Sequence, residues 1–167
     1  IPDSVASISN TAFDYCESLT GIHVDANNPY YSSDDRGVLF DKDKTLLVRA
    51  PGAITGAYTI PDGVTAIDHR AFYACDQLTG VEIPDGVTDI AEFAFSRCTS
   101  LSSVNLPIGI TYIDRYTFSG CHSLPSIEFP CGVAFIGERA FLSCHNLSKI
   151  YFTGDAPEFD GRTIFYD

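Results

Sequence analysis

Four residue types keep one period through this chain. Pro61, Pro84, Pro107 and Pro130 stand 23 residues apart, as do Phe72, Phe95, Phe118 and Phe141. Cys75, Cys98, Cys121 and Cys144 take the same step, and so do Leu78, Leu101, Leu124 and Leu147. Self-similarity at a fixed period of this size marks a stack of coils, because one short unit cannot bury its own apolar face and its neighbours must cover it.

The coil can be read residue by residue. Pro84-Asp85-Gly86 has proline where a type I turn wants a fixed φ, and glycine at the turn's end. Val87 and Ile90 then face inward, and Ala94, Phe95 and Cys98 follow at offsets of four, five and eight from Ile90, which predicts a short helical turn. After Leu101 the period becomes two. Val104 and Leu106 face in while Asn105 faces out, which predicts a short strand pairing in parallel with its copies. The phenylalanines should form a continuous column.

The first coil repeats the pattern at Pro2, Val5, Ile8, Ala12, Phe13, Cys16 and Leu19, but Pro2 lies 59 residues before Pro61, which is 23 plus 36. The extra residues fall between Val24 and Ile60. In them Val38-Leu39-Phe40 and Thr45-Leu46-Leu47-Val48 flank a polar Asp41–Lys44, a β-hairpin signal. Asn27-Asn28-Pro29 and Ser32-Ser33-Asp34-Asp35 read as turns. One domain over residues 1–167 is expected, with coils at 1–24, 58–80, 81–103, 104–126 and 127–152, an insertion at 25–57 and an irregular region at 153–167. Thr163-Ile164-Phe165-Tyr166 reads as a last strand. The chain opens on Ile1-Pro2-Asp3, contains no methionine and has no polar cap at either end, so a piece of a longer protein is expected.

The written-out coil resembles the BspA-type leucine-rich repeat: Ile83-Pro84, Val87, Ile90, Ala94-Phe95, Cys98 and Leu101 fill its pattern, and the other coils do likewise. The family's glycine after isoleucine survives only as Gly137, and its glycine before cysteine only as Gly120. The resemblance implies an α/β solenoid, a right-handed superhelix with a parallel sheet, short helical turns and here one β-hairpin insertion. It further implies a secreted or surface-displayed microbial protein used in adhesion or protein recognition, with an extracellular host or microbial protein as partner.

The charge of −12 argues against nucleic acid and against anionic membrane surfaces, both of which need clustered Lys and Arg. No apolar run approaches the roughly 20 residues of a spanning helix. Cys16, Cys75, Cys98, Cys121 and Cys144 share one repeat position, and coils about 4.8 Å apart do not suit the ~3.8 Å Cβ separation of a disulfide. They are expected to be buried free thiols, with Cys131, in a turn, accessible. Cys121-His122 and Cys144-His145 invite a metal or nucleophile reading, but neighbours on a turn point apart, so surface histidines are expected. Asp25, Asn27, Asn28, Asp34, Asp35, Asp41 and Asp43 offer oxygens to calcium without the spacing of a calcium loop; turn chemistry explains them equally. No catalytic motif, metal site or cofactor site is expected.

The outward residues of the strand position are His23, Thr59, Glu82, Asn105, Glu128 and Tyr151, which vary while the core positions repeat. A recognition surface would look so; unconstrained solvent positions would too. With one aromatic there, a sugar platform is disfavoured. Tyr30 and Tyr31 on the insertion are candidate anchors for a protein partner. The rival expectation is a passive stalk spacing other domains; a glycan binder or enzyme using the insertion is a weaker one.

Overall fold

The structure is a computed structural model and describes residues 1–160 and 163–165. The inserted segment holds β1 (Tyr31–Ser33), β2 (Leu39–Asp41) and β3 (Leu46–Arg49). From there the strands alternate between two strips. One strip is formed by β4 (Gly56–Thr59), β6 (Leu78–Glu82), β8 (Ser103–Val104), β10 (Ser126–Phe129) and β12 (Lys149–Phe152). The other is formed by β5 (Ala66–Ile67), β7 (Asp89–Ile90), β9 (Tyr112–Ile113), β11 (Phe135–Ile136) and β13 (Glu158–Phe159). All pairing within the strips is parallel and, apart from Gly56 with Leu78, keeps the 23-residue register, as in Ile67 with Ile90, Phe135 with Tyr112, and Glu128 with Tyr151; β7 and β9 are not paired with each other. The expected strand is therefore present, and the residues around Ile67 form a second ladder.

Side chains enclosed by the strips build one core. The rings of Phe72, Phe95, Phe118 and Phe141 stack with centroids 5.0, 5.4 and 5.4 Å apart and planes within 11°. The proline corner is a turn of the expected kind, with the amides of Val64 and Val87 donating to the carbonyls of Pro61 and Pro84 at 3.0 Å.

No helix occurs among the described residues, which corrects the expectation of helical turns. The reason lies in where the amides point. In the coil around Phe72, the N–H groups of Ala71, Tyr73 and Cys75 donate back to Asp68, Arg70 and Phe72, three residues earlier. The N–H groups between them, on Arg70, Phe72 and Ala74, donate across to Glu92, Ala94 and Ser96 of the next coil. An α-helix would keep every amide for its own carbonyl four residues back. Sending alternate amides sideways requires left-handed backbone at Arg70 and Ala74, and at the matching Phe93 and Arg97, Tyr116 and Gly120, and Arg139 and Ser143. Only one of these is glycine, and each of the others carries a steric cost of about 1–2 kcal/mol that the inter-coil bonds offset.

The insertion is more than a hairpin. β2 and β3 pair antiparallel as expected, but β1 adds to β2, so Ser32 and Ser33 lie in a strand and not in a turn. β3 then pairs in parallel with β5, Ala50 N–H donates to Ala71 at 2.7 Å, and β4 pairs with β6. This is a shortened circuit laid against the next coil. Ala50 occupies the phenylalanine place, and the ring of Tyr58 reaches in to lie 5.9 Å from Phe72. The fully buried Asn28 fastens the segment to the first coil: its Nδ2 donates to the carbonyls of Pro2 and Val5, and its Oδ1 accepts from the amides of Tyr30 and Tyr31. Arg49, also buried, donates to the carbonyls of Phe13 and Arg70 and faces Asp14.

At the far end, Ile164 and Phe165 lie in a turn rather than a last strand; Tyr166 falls outside the described residues. Ile164 accepts from Phe141 N–H, and Phe165 stacks on Phe141 at 5.7 Å, so they take the Ala-Phe place of a further coil.

Candidate functional site

The strip of β4, β6, β8, β10 and β12 carries the predicted contact residues. Thr59 and Glu82 pair across β4 and β6, with Thr59 Oγ1 donating to Glu82 Oε2 at 2.8 Å; Glu128 pairs with Tyr151 across β10 and β12. All four side chains are exposed. His23 is exposed as well but lies outside any strand, as does Asn105, just beyond β8. The insertion's two tyrosines differ: Tyr30 is 51% exposed, whereas Tyr31 is half-buried and its hydroxyl accepts from Ile8 N–H.

This strip is not continuous. Its strands join as β4–β6–β8 and as β10–β12, with no pairing between β8 and β10. Pro125 explains the break. Ser102 and Ser148 each give an N–H to the coil before, to Thr79 and Pro125, but the residue between them in the register is Pro125, which has no N–H to give. Asn105 shortens β8 on its other side, toward β6: its Oδ1 accepts from Ile83 N–H and its Nδ2 donates to Ile83 O, both at 2.9 Å, where the two strands would otherwise have gone on pairing. Beside the break is a shallow groove of about 350 Å³ lined by Val104, Leu106, Ile108 and Pro130, with Asn105 and Glu128 at its sides. Ile108 is 69% exposed although the equivalent positions hold Asp62, Asp85 and Cys131. The one sign of this apolar floor in the sequence is Pro125, a proline at the residue before β10, where the ladder needs an amide.

The thiols are chemically quiet in four coils. Cys98, Cys121 and Cys144 donate to the carbonyls of Phe72, Phe95 and Phe118 at 3.0, 3.3 and 3.1 Å. Burial pushes Cys98 and Cys121 well above the ordinary thiol range, Cys75 up to about 12 and Cys144 to about 11. Cys16 departs from the expectation: it is exposed, as Cys131 is. The Cys121 thiol turns inward while the rings of His122 and His145 stack on the outside at 4.9 Å, so thiol and imidazole diverge. The insertion's carboxylates act as turn acceptors: Asp25 takes Asn27 N–H, Asp34 takes Arg36 and Val38 N–H, and Asp41 takes Thr45 and Leu46 N–H. Among the described residues no group of three His, Cys, Asp or Glu is placed to hold a metal ion, and no helix is long and apolar enough to cross a membrane.

Three solved structures are similar to this architecture. The pneumococcal vaccine antigen PcpA superposes with a TM-score of 0.86 at 27% identity over 91% of this chain and 38% of its own. A leucine-rich cell surface protein of Faecalibacterium prausnitzii gives 0.82 at 30% identity over 93% of this chain and 47% of its own. A leucine-rich repeat protein of Eubacterium ventriosum gives 0.71 at 26% identity over 90% of this chain and 47% of its own. The chain thus spans less than half the length of each. Among curated proteins none matches. The BspA type leucine rich repeat region matches in six copies over residues 1–34 and 55–167, leaving out the middle of the insertion. On that coverage, the chain belongs to the BspA-type leucine-rich repeat family.

Proposed function

We propose that this chain is a non-catalytic protein-recognition module of a secreted or surface-displayed microbial protein, and that it contacts an extracellular host or microbial protein through the β4–β12 strip. Leucine-rich repeat proteins typically serve as protein-interaction modules, and one of the similar structures is a cell surface protein. The observation that carries the reading is the break between β8 and β10. A stalk needs no open apolar surface, whereas here, beside the interruption at Pro125, Ile108 lies 69% exposed next to Val104 and Pro130 with Glu128 at the rim. Exposed apolar surface with a polar rim is the usual composition of a contact site.

The test is immobilisation of the chain and titration with purified extracellular host and microbial proteins, followed by the Glu82→Lys/Glu128→Lys double variant. A binder whose affinity falls about tenfold or more on charge reversal supports the reading, since rim charges steer and orient association. A binder indifferent to the reversal clears this strip, and an empty panel favours the spacer.

A further inference from the structure

Two stacked aromatic pairs lie outside the core in different columns of the repeat. In one, Phe93 and Tyr116 stack at 4.7 Å and 7°. The same column continues to Arg70 before them and Arg139 after them, whose guanidinium groups lie 5.4 Å over Phe93 and 5.7 Å over Tyr116. Its order is Arg-Phe-Tyr-Arg, and the chain's own cations close it at both ends.

The other pair is the reverse. Tyr112 and Phe135 stack at 4.9 Å and 4° on β9 and β11, and Tyr112 is 42% exposed. This column runs Asp89, Tyr112, Phe135, Glu158, with Glu158 paired to Phe135 through β13. Carboxylates stand where the first column has arginines. Asp114 and Asp160, two residues further along their own coils, add charge beside the rings. Negative charge accumulates enough to show on the pair itself: the Tyr112 phenol is raised, by burial first and then by Asp114 and Asp160. Arg115, the cation nearby, is held by Glu92, with Nε donating at 2.7 Å. Among the described residues no cation lies over Tyr112 or Phe135.

We propose that the Tyr112–Phe135 stack and its flanking Asp89, Asp114, Glu158 and Asp160 form a second docking surface, which takes a basic peptide segment of a partner with an arginine or lysine side chain laid over the rings. The commitment to a cationic occupant follows from charge: an aromatic face attracts cations, the ends of the column are anionic, and the chain as a whole carries −12. This surface lies on the β5–β13 strip and stands independently of the groove at β8 and β10.

The probe is a fluorescein-labelled hexa-arginine peptide, titrated with the whole chain at physiological ionic strength and read by anisotropy. Tyr112→Ser/Phe135→Ser and Asp89→Asn/Glu158→Gln are each expected to weaken binding about fivefold or more, the scale of one exposed cation–π contact. The equal change of charge at exposed carboxylates outside both surfaces, Asp3→Asn/Asp76→Asn, is expected to stay within about twofold because distant charges are screened. If the serine pair melts early, Tyr112→Leu/Phe135→Leu keeps the apolar cover without a π face and should show the same loss. The proposal is overturned if the Asp3/Asp76 control weakens binding as much as Asp89/Glu158, which would be general charge attraction. It is overturned equally if loss of the rings changes nothing, if the peptide does not bind, or if neutral chitohexaose binds in its place in a Tyr112-dependent way.

Discussion

Phe95→Ala removes the middle ring of the core column while leaving every backbone bond in place. The ring is fully buried and stacked on both sides, 5.0 Å from Phe72 and 5.4 Å from Phe118. Truncating a core phenylalanine costs about 3–5 kcal/mol, transfer and cavity terms together. The upper half of that range is expected here, because two stacking contacts go with the ring and each is worth about 0.5–1.5 kcal/mol. The cavity cannot collapse readily, since the amides of Phe95 and Arg97 are tied across to Thr117 and Ser119. For a chain of this size 1 kcal/mol moves the melting temperature by about 2–4 °C, so a drop of roughly 8–20 °C should appear in thermal unfolding followed by far-ultraviolet circular dichroism. Because coils are coupled mainly to neighbours, the weakened middle should also broaden the transition as the two halves begin to melt separately. Glu82→Ala on the exposed strip is the control and should stay within about 0.5 kcal/mol. A loss below about 1 kcal/mol at Phe95 would mean that the column does not carry the stack.

Three further outcomes are expected. N-ethylmaleimide should label Cys16 and Cys131 in the folded chain and reach Cys75, Cys98, Cys121 and Cys144 only on unfolding; mass spectrometry of the native reaction showing more than two adducts would contradict the packing. The same four thiols make stability depend on alkali. Their folded values lie above the ordinary 9.0, so the folded state binds the extra protons and their contribution is full below pH 9.0; for Cys144 and Cys75 it is lost as pH rises to about 11 and about 12, by about 1.4 kcal/mol per pH unit for each of the two. Urea midpoints flat from pH 8 to 11 would refute this. Asn28→Ala should release the insertion from the first coil: about 2 kcal/mol or more is expected from four lost bonds at a buried amide, with faster hydrogen exchange at Tyr30 and Tyr31. Exchange unchanged at those two amides would show that Asn28 is not the anchor.

Burial is what the sequence makes legible. Phe72, Phe95, Phe118 and Phe141 announce the period because each must meet its copy in the core, and the outward strand residues Thr59, Glu82, Glu128 and Tyr151 follow from the alternation of the strand. Hydrogen-bond traffic is less legible. Ala94, Phe95 and Cys98 have helix-like spacing, but spacing says which side chains turn inward and nothing about whether an amide bonds within its coil or to the next. Nothing in the identities of Phe93, Arg97 or Arg139 marks them for left-handed backbone. Cys16 matches its copies in sequence and differs only in what covers it. Residues 45–59 hid a shortened circuit because Ala50 stands where the pattern demands phenylalanine and Tyr58 supplies the ring from elsewhere. The groove was readable in part: Pro125 declares a missing donor, but that Asn105 would turn back on Ile83 depends on the neighbouring coil.

The alternation of amides around the phenylalanine turn also limits where the chain can grow. One residue added between Arg70 and Ala74, or between their copies, would exchange the amides that serve the coil for those that serve its neighbour and unfasten both at once. At the proline corner the bond from Val64 to Pro61 closes on itself and owes nothing to the coils on either side. Extra chain spliced there leaves the count of every other turn intact, and it is at this corner, after Val24, that the inserted segment departs. Loops of any length can be hung on that one edge of the stack without disturbing the two strips beside it.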